Sequence, residues 1–314
     1  MTATQPAAAP GTGTEATEPP GATPAPSGSR KPGGDARETL YFALRNPKVV
    51  IGSVVVLGFL LLGLLGPLFL KNAPMDYAGP PMAPPSADFP FGTTTFGQDV
   101  FAQFVAGLRS TFLVGLLGGG VAAVIGMAIG FVAGYRGGLI DELLNMLTNV
   151  VLVIPGFVVL IIINAYLGVR SVPMQALYIG VFSWPWVARA VRAQTLSLRT
   201  RDFIDLARLS GVGVGTILRR EVAPNMYSYL FMTFVLLFGG SILTAASLDF
   251  IGLGPTNAMS LGLMMNQAVQ WSALHLGLWW WFIPPGLGIT LIVGSLYIMN
   301  VGLDEVFNPK LREM

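Results

Sequence analysis

Residues 201–224 read RDFIDLARLSGVGVGTILRREVAP, a charged, glycine-punctuated stretch inside a chain that is 53% hydrophobic and only 11% charged over 314 residues. A soluble domain carries about 25% charged residues. So little polar surface cannot cover a water-soluble fold, so the composition reads as an all-α polytopic membrane protein. The quoted stretch must then lie outside the bilayer, between two spans. Within it, Phe203, Leu206, Ala207 and Ser210 recur at i, i+3, i+4 and i+7, and Ile204 widens the stripe. Arg201–Asp205 and Asp205–Arg208 have helix-surface ion-pair spacing. Gly211 ends that helix and permits a sharp turn. A second short helix, about 214–220, leads to Pro224, which suits a helix start. A helix lying on lipid would need neither Asp205 nor the turn, so a docking element for a cytosolic partner accounts for more of the residues.

The flanking sequence supplies six apolar stretches. Val49–Leu70 is free of charge for 22 residues, about 33 Å of helix against a hydrocarbon core of about 30 Å. The others lie near 111–134, 143–167, 174–190, 227–250 and 279–302, the third and fourth interrupted by Pro155, Asn164 and Pro185. With both ends inside, 15 basic residues fall on the cytoplasmic side, Arg136 and the arginines of 189–220 among them. Only Lys71, Arg109 and Arg170 fall outside. The positive-inside rule therefore predicts a multi-pass protein of the bacterial cytoplasmic membrane, both termini cytoplasmic.

The chain divides by composition into three parts. Residues 1–38, rich in Pro, Ala, Gly and Thr, read as a disordered cytoplasmic tail. Residues 39–108 hold the first span and an extracytoplasmic segment. Residues 109–314 read as a five-helix core with its cytoplasmic loop at 191–224. In span two, Ala122, Gly126, Gly130 and Gly134 are four apart, a close-packing helix face. Trp279, Trp280 and Trp281 read as an aromatic belt. Val100, Phe101, Phe104, Val105 and Leu108 form an apolar stripe expected to lie along the outer interface.

Several chemistries are excluded. The chain has no cysteine and one histidine, His275, which removes disulfides and thiolate metal sites. None of the four lysines follows a glycine, so there is no phosphate-binding G-x-x-x-x-G-K-[ST] loop. A self-sufficient secondary transporter would carry midplane ionisable groups and internal repeats. An intramembrane enzyme would carry a His cluster or paired deep acids. The sequence shows neither pattern.

The loop resembles a known family. Permease subunits of binding-protein-dependent ABC importers carry E-A-A, three residues, G, nine residues, I-x-L-P before the penultimate span. Here stand Asp205-Leu206-Ala207, then Gly211, then Pro224. GTTTFGQDVFAQ (92–103), GFVAGYRGGLID (130–141), VRAQTLSLRTRDFIDLAR (191–208), LDFIGLG (248–254) and NVGLDEVFNPKLR (300–312) resemble the dipeptide/oligopeptide/nickel branch, in its shorter C-type subunit. The resemblance runs from about residue 40 to residue 312.

The resemblance implies a type I ABC importer permease fold with six transmembrane helices and a coupling helix in the 4–5 loop. It implies a non-catalytic subunit forming half of a translocation pathway, for di- or oligopeptides, with oligosaccharides or nickel as alternatives. Its partners would be a second permease subunit, two ABC ATPases, an extracytoplasmic substrate-binding protein and the lipid bilayer, with no nucleic acid. No cofactor belongs to this chain; ATP and Mg bind the ATPases. Phe203, Asp205, Leu206, Ala207, Arg208, Gly211 and Pro224 become the ATPase-coupling set, with Phe203, Leu206 and Ala207 filling the partner's groove. Two departures stand out. Thr94 and Gln98 replace an Asp and an Arg, whose spacing of four suits a helical ion pair. Asp249 stands where the family usually has Ser, and either faces the substrate pathway or is solvated at its outer mouth.

Overall fold

The computed structural model describes residues 36–166 and 170–307. The tail read as disordered lies outside the described residues through residue 35. Helix α1 (Ala36–Arg45) already covers the last three positions assigned to that tail. Among the described residues, strand pairing is limited to two isolated bridges, Tyr77–Gln98 and Thr93–Asp99.

Local sequence sets the helix starts. Asn46 accepts from the Lys48 and Val49 backbone N–H groups, and Pro47 opens α2 (Pro47–Leu65), where its missing donor costs nothing. Asp99 accepts from Phe101 N at 2.9 Å and Ala102 N at 3.2 Å and caps α3 (Val100–Arg136). At 37 residues, α3 is about 55 Å long.

Gly137, at φ +68°, closes α3 and feeds α4 (Gly138–Val153). Pro155 then breaks the chain, and α5 (Gly156–Tyr166) leaves at 73° to α4. Next come α6 (Val172–Arg199), α7 (Asp202–Leu209), α8 (Val214–Ile217) and, after a wide π turn, α9 (Ala223–Asn225). The chain ends its described part with α10 (Tyr227–Leu248), α11 (Leu261–Gln270) and α12 (Trp279–Phe307).

Four helical stretches are long and apolar enough to cross a membrane: 47–68, 100–136, 227–253 and 279–307. The bent α4–α5 pair makes a fifth if it is one span. Helix α6 is 28 residues long but carries Arg189, Arg192 and Arg199. It runs unbroken through the buried Pro185. Ile51, Val54, Leu57, Leu61 and Leu64 line an outward, exposed face of α2. Lipid suits such a face and water does not.

Contacts fix the directions of the helices. Gly118 lies against Ala176, Gly126 against Val187, Gly130 against Val191 and Gly134 against Thr195. Residue numbers rise together along both helices, so α3 and α6 are parallel. Gly115 and Gly119 meet Ile242 and Phe238, so α10 runs antiparallel to α3. Gly52 meets Ser295 and Met299, and Gly302 meets Val49, so α12 runs antiparallel to α2. Asn300 Nδ2 donates to Met232 O at 2.7 Å and ties α12 to α10. A parallel α3 and α6 require the chain between them to return to the starting side, and α4–α5 is the segment that does so.

Three sequence expectations change here. The stripe from Val100 to Leu108 is not an interfacial helix but the first turns of α3. Val100, Phe104 and Leu108 are buried in one core with Leu261, Trp281 and Ile292. The division at residue 109 therefore falls inside a continuous helix. Thr94 and Gln98 are not on a helix at all: Thr94 N donates to Gln98 O at 2.9 Å and closes a tight turn. Of the three tryptophans, Trp281 is fully buried and Trp280 donates to Thr93 O at 3.1 Å. Only Trp279 stays exposed enough to serve as a belt.

Candidate functional site

Helix α7 hangs from the end of α6. Ile204 is its anchor, fully buried among Tyr135, Val187, Val191, Ile217 and Met226. Phe203 and Ala207 are half-buried against the same core. They hold α7 to its own bundle, so they are poorly placed to fill a partner's groove. The uncovered face is instead Asp205, Leu206 and Leu209, with Leu206 at 67% and Leu209 at 88% exposure. Sequence reasoning missed Leu209, although it lies three residues beyond Leu206, on the same helical face.

The end of α7 is built by glycine. Gly211, at φ +72°, takes the left-handed position that side-chain-bearing residues avoid. Its N–H donates to Arg208 O at 3.0 Å, and Val212 N donates to Ala207 O at 3.1 Å. These two bonds are the Schellman closure, which satisfies carbonyls that a helix end otherwise leaves bare. Beyond it, α8 runs into a π turn at Leu218–Val222, where Ala223 N reaches back to Leu218 O. Pro224 follows in α9, exposed, with no N–H to place in that widened ladder.

Arg208 ties α7 to the end of α3. Its Nη1 donates to Asp205 Oδ1 at 2.9 Å and its Nε to the Tyr135 hydroxyl at 3.2 Å. The guanidinium carbon lies 5.1 Å from the Tyr135 ring centroid, within cation–π reach. Tyr135 and then Asp205 push the guanidinium further above its ordinary range, so the charge is permanent. The expected Arg201–Asp205 pair does not form; Arg201 sits before the helix as its N-cap.

The glycine face lies between α3 and α6. A Cβ built on Gly126 would stand 2.6 Å from the Val187 Cβ. On Gly130 it would stand 2.7 Å from Ala188 O, and on Gly134 2.7 Å from the Thr195 Cβ. Ala122 is fully buried in the same packing. Across from it, Arg192 of α6 grips Asp141 of α4 with two bonds, Nε to Oδ1 at 2.5 Å and Nη2 to Oδ2 at 2.7 Å.

Asp249 is 2% exposed, so it is buried rather than solvated at an outer mouth. Gln175 Nε2 of α6 donates to its Oδ1 at 2.6 Å, and Ser260 Oγ, at the cap of α11, donates to its Oδ2 at 2.5 Å. Gly254 and Gly262 crowd it; a Cβ on Gly262 would stand 2.8 Å from the Asp249 Cβ. The acid is a knot joining α6, α10 and α11 at the end of the bundle opposite α7. Neither Gln175 nor Ser260 stands out in sequence, because each owes its role to an element far along the chain.

Known proteins resemble this chain in sequence. The family model described as "Binding-protein-dependent transport system inner membrane component" matches residues 126–313. The chain is 29% identical over 279 residues to the dipeptide transport system permease protein DppC of Alkalihalophilus pseudofirmus, covering 88% of this chain and 90% of that protein. A protein of Brucella suis biovar 1 named as a peptide permease is 31% identical over 269 residues, 85% of this chain and 88% of its own. A Brucella abortus protein named as a peptide transport system permease is 30% identical over 275 residues, 86% of this chain and 90% of its own.

Proposed function

The chain belongs to the inner-membrane components of binding-protein-dependent transport systems, and from that premise we propose that it forms half of the pathway of an ATP-driven importer of di- and oligopeptides. It is a multi-pass membrane protein and a permease component, not the part that performs chemistry. The names of its relatives support peptides as the substrate class. In this reading a second permease subunit completes the pathway. Two cytosolic ATPases bind ATP and Mg and supply the stroke, and an extracytoplasmic binding protein delivers the peptide.

The observation that carries the reading is the construction of α7. Ile204 locks it to the bundle, and Gly211 turns the chain back beneath it. Asp205, Leu206 and Leu209 are left uncovered. A short helix that is firmly rooted and bare on its outer side transmits a push without absorbing it. Such rigid-body motion of packed helices is a common route between two access states. The helix directions support six crossings, with α4–α5 as the third and α6 as the fourth. The distribution of basic residues supports α7 on the cytoplasmic side.

The test is uptake of a labelled dipeptide by cells lacking this gene and by cells in which it is restored. Restoration should return uptake, and should fail when the partner ATPases carry a hydrolysis-blocking substitution. Uptake that is indifferent to the ATPases would reject the proposal.

A further inference from the structure

Beside α7, and separate from its uncovered face, lies a cleft of about 640 Å³. Three guanidinium groups line it: Arg136 at the last residue of α3, Arg199 at the last residue of α6, and Arg208 of α7. Their helices come from distant parts of the sequence, yet the fold brings all three to one opening. Arg208 is neutralised in part by Asp205. The side chains of Arg136 and Arg199 make no hydrogen bond or ion pair among the described residues, although Arg199 also interacts electrostatically with Asp141. Positive charge remains in excess around the cleft, and an anion would balance it.

The cleft has a second chemistry. Ile140, Val212 and Val214 form its rim, and each is exposed. From there Leu139, Leu143 and Met146 continue as an exposed apolar strip along α4. The cationic part sits where α3 and α6 end. With those helices crossing the bilayer, it would lie near the phosphate level and the α4 strip would lie against hydrocarbon. A soluble anion would use the arginines alone and leave the rim wet.

We propose that this cleft seats the phosphate headgroup of an anionic phospholipid of the cytoplasmic leaflet, its acyl chains running down α4. Basic pockets at the cytoplasmic ends of spanning helices suit such lipids, because the charge and the apolar strip are met by one molecule. The lipid would brace the joint between α3, α6 and α7, where Arg208 already leans on Tyr135. The inference rests on the proposed transport role only for its orientation. Lipid retention is read without transport, so the two can fail separately.

The test uses the whole chain, purified and exchanged into phosphatidylcholine vesicles with or without phosphatidylglycerol, with bound lipid counted by native mass spectrometry. The wild type should retain phosphatidylglycerol about tenfold over phosphatidylcholine, the factor that about 1.4 kcal/mol of preference gives. Arg136→Gln/Arg199→Gln should lose that preference while melting normally in phosphatidylcholine. Arg136→Lys/Arg199→Lys should keep most of it. Equal retention by wild type and the glutamine variant overturns the assignment. Inorganic phosphate that displaces the lipid at physiological concentration overturns it in favour of a soluble anion. Unchanged lipid retention with loss of co-purifying ATPase from the glutamine variant overturns it in favour of an acidic protein partner.

Discussion

Gln175 and Asp249 are joined side chain to side chain at 2.6 Å, with both residues buried and 74 positions apart in the sequence. The bond ties α6 to the end of α10, and Ser260 adds α11 to the same carboxylate.

Removing that acceptor should cost stability and leave selectivity alone. Asp249→Ala strips Gln175 and Ser260 of their shared partner, a loss of about 1–3 kcal/mol for buried groups left unpaired. Asp249→Asn keeps an acceptor and should melt between alanine and wild type. Asp249→Ser should import the same range of peptides as wild type, at lower protein yield. Thermal melting in detergent and competition among labelled peptides check the two halves. A changed peptide preference would return Asp249 to the pathway.

The α7 turn should be intolerant for two distinct reasons. A Cβ on Gly211 would meet no atom within 4 Å, so the harm of Gly211→Leu starts with conformation: a left-handed residue with a side chain costs about 1–3 kcal/mol. Asp205→Arg places a second cation beside Arg208 and removes the uncovered carboxylate. Both should abolish dipeptide uptake and leave membrane insertion intact. Normal uptake in both, at normal protein levels, would end the coupling role.

Two glycines of α3 should respond in opposite directions. Gly126→Ala drives a methyl group to 2.6 Å from Val187, and overpacking of this kind costs about 1–3 kcal/mol. Gly120→Ala meets nothing within 4 Å, so the gain in helix propensity, about 0.5–1 kcal/mol, goes unopposed. Melting temperatures of the two variants should fall on either side of wild type. The same sign for both would undo the packing account.

Since the chain has no cysteine, orientation can be read with single engineered thiols. Leu209→Cys and Tyr77→Cys replace highly exposed residues at opposite ends of the bundle. A membrane-impermeant maleimide on intact spheroplasts should label the cysteine at 77 and spare the one at 209. Inverted vesicles should reverse the result. Labelling of position 209 from outside would invert the topology.

Much of this fold is visible in local patterns, because bilayer thickness demands long apolar runs and glycine at fixed spacing demands close helices. The turn at Gly211 was equally readable, since only glycine takes that position at no steric cost. What local pattern could not give is who covers whom. The period of Val100, Phe104 and Leu108 is the same whether the helix lies on lipid or under Leu261 and Trp281. Pro155 announces a break, but the 73° bend comes from the packing on either side. Asp249 looked available only because its two partners lie 74 residues before and 11 residues after it. Ile204 and Phe203 share one amphipathic stripe, and only the bundle decides which is sealed and which is partly open.

The near-contact of α3 and α6 has a mechanical meaning. Two rods meeting along about four turns, with bare glycine on one side and short β-branched side chains on the other, resist sliding or bending independently and behave as one stiff beam. From Thr195 to Gln175 that beam is about 30 Å long at the helical rise. A displacement of α7 at one tip would then be felt at the Asp249 knot on the far tip, as a shift or a tilt of the whole beam.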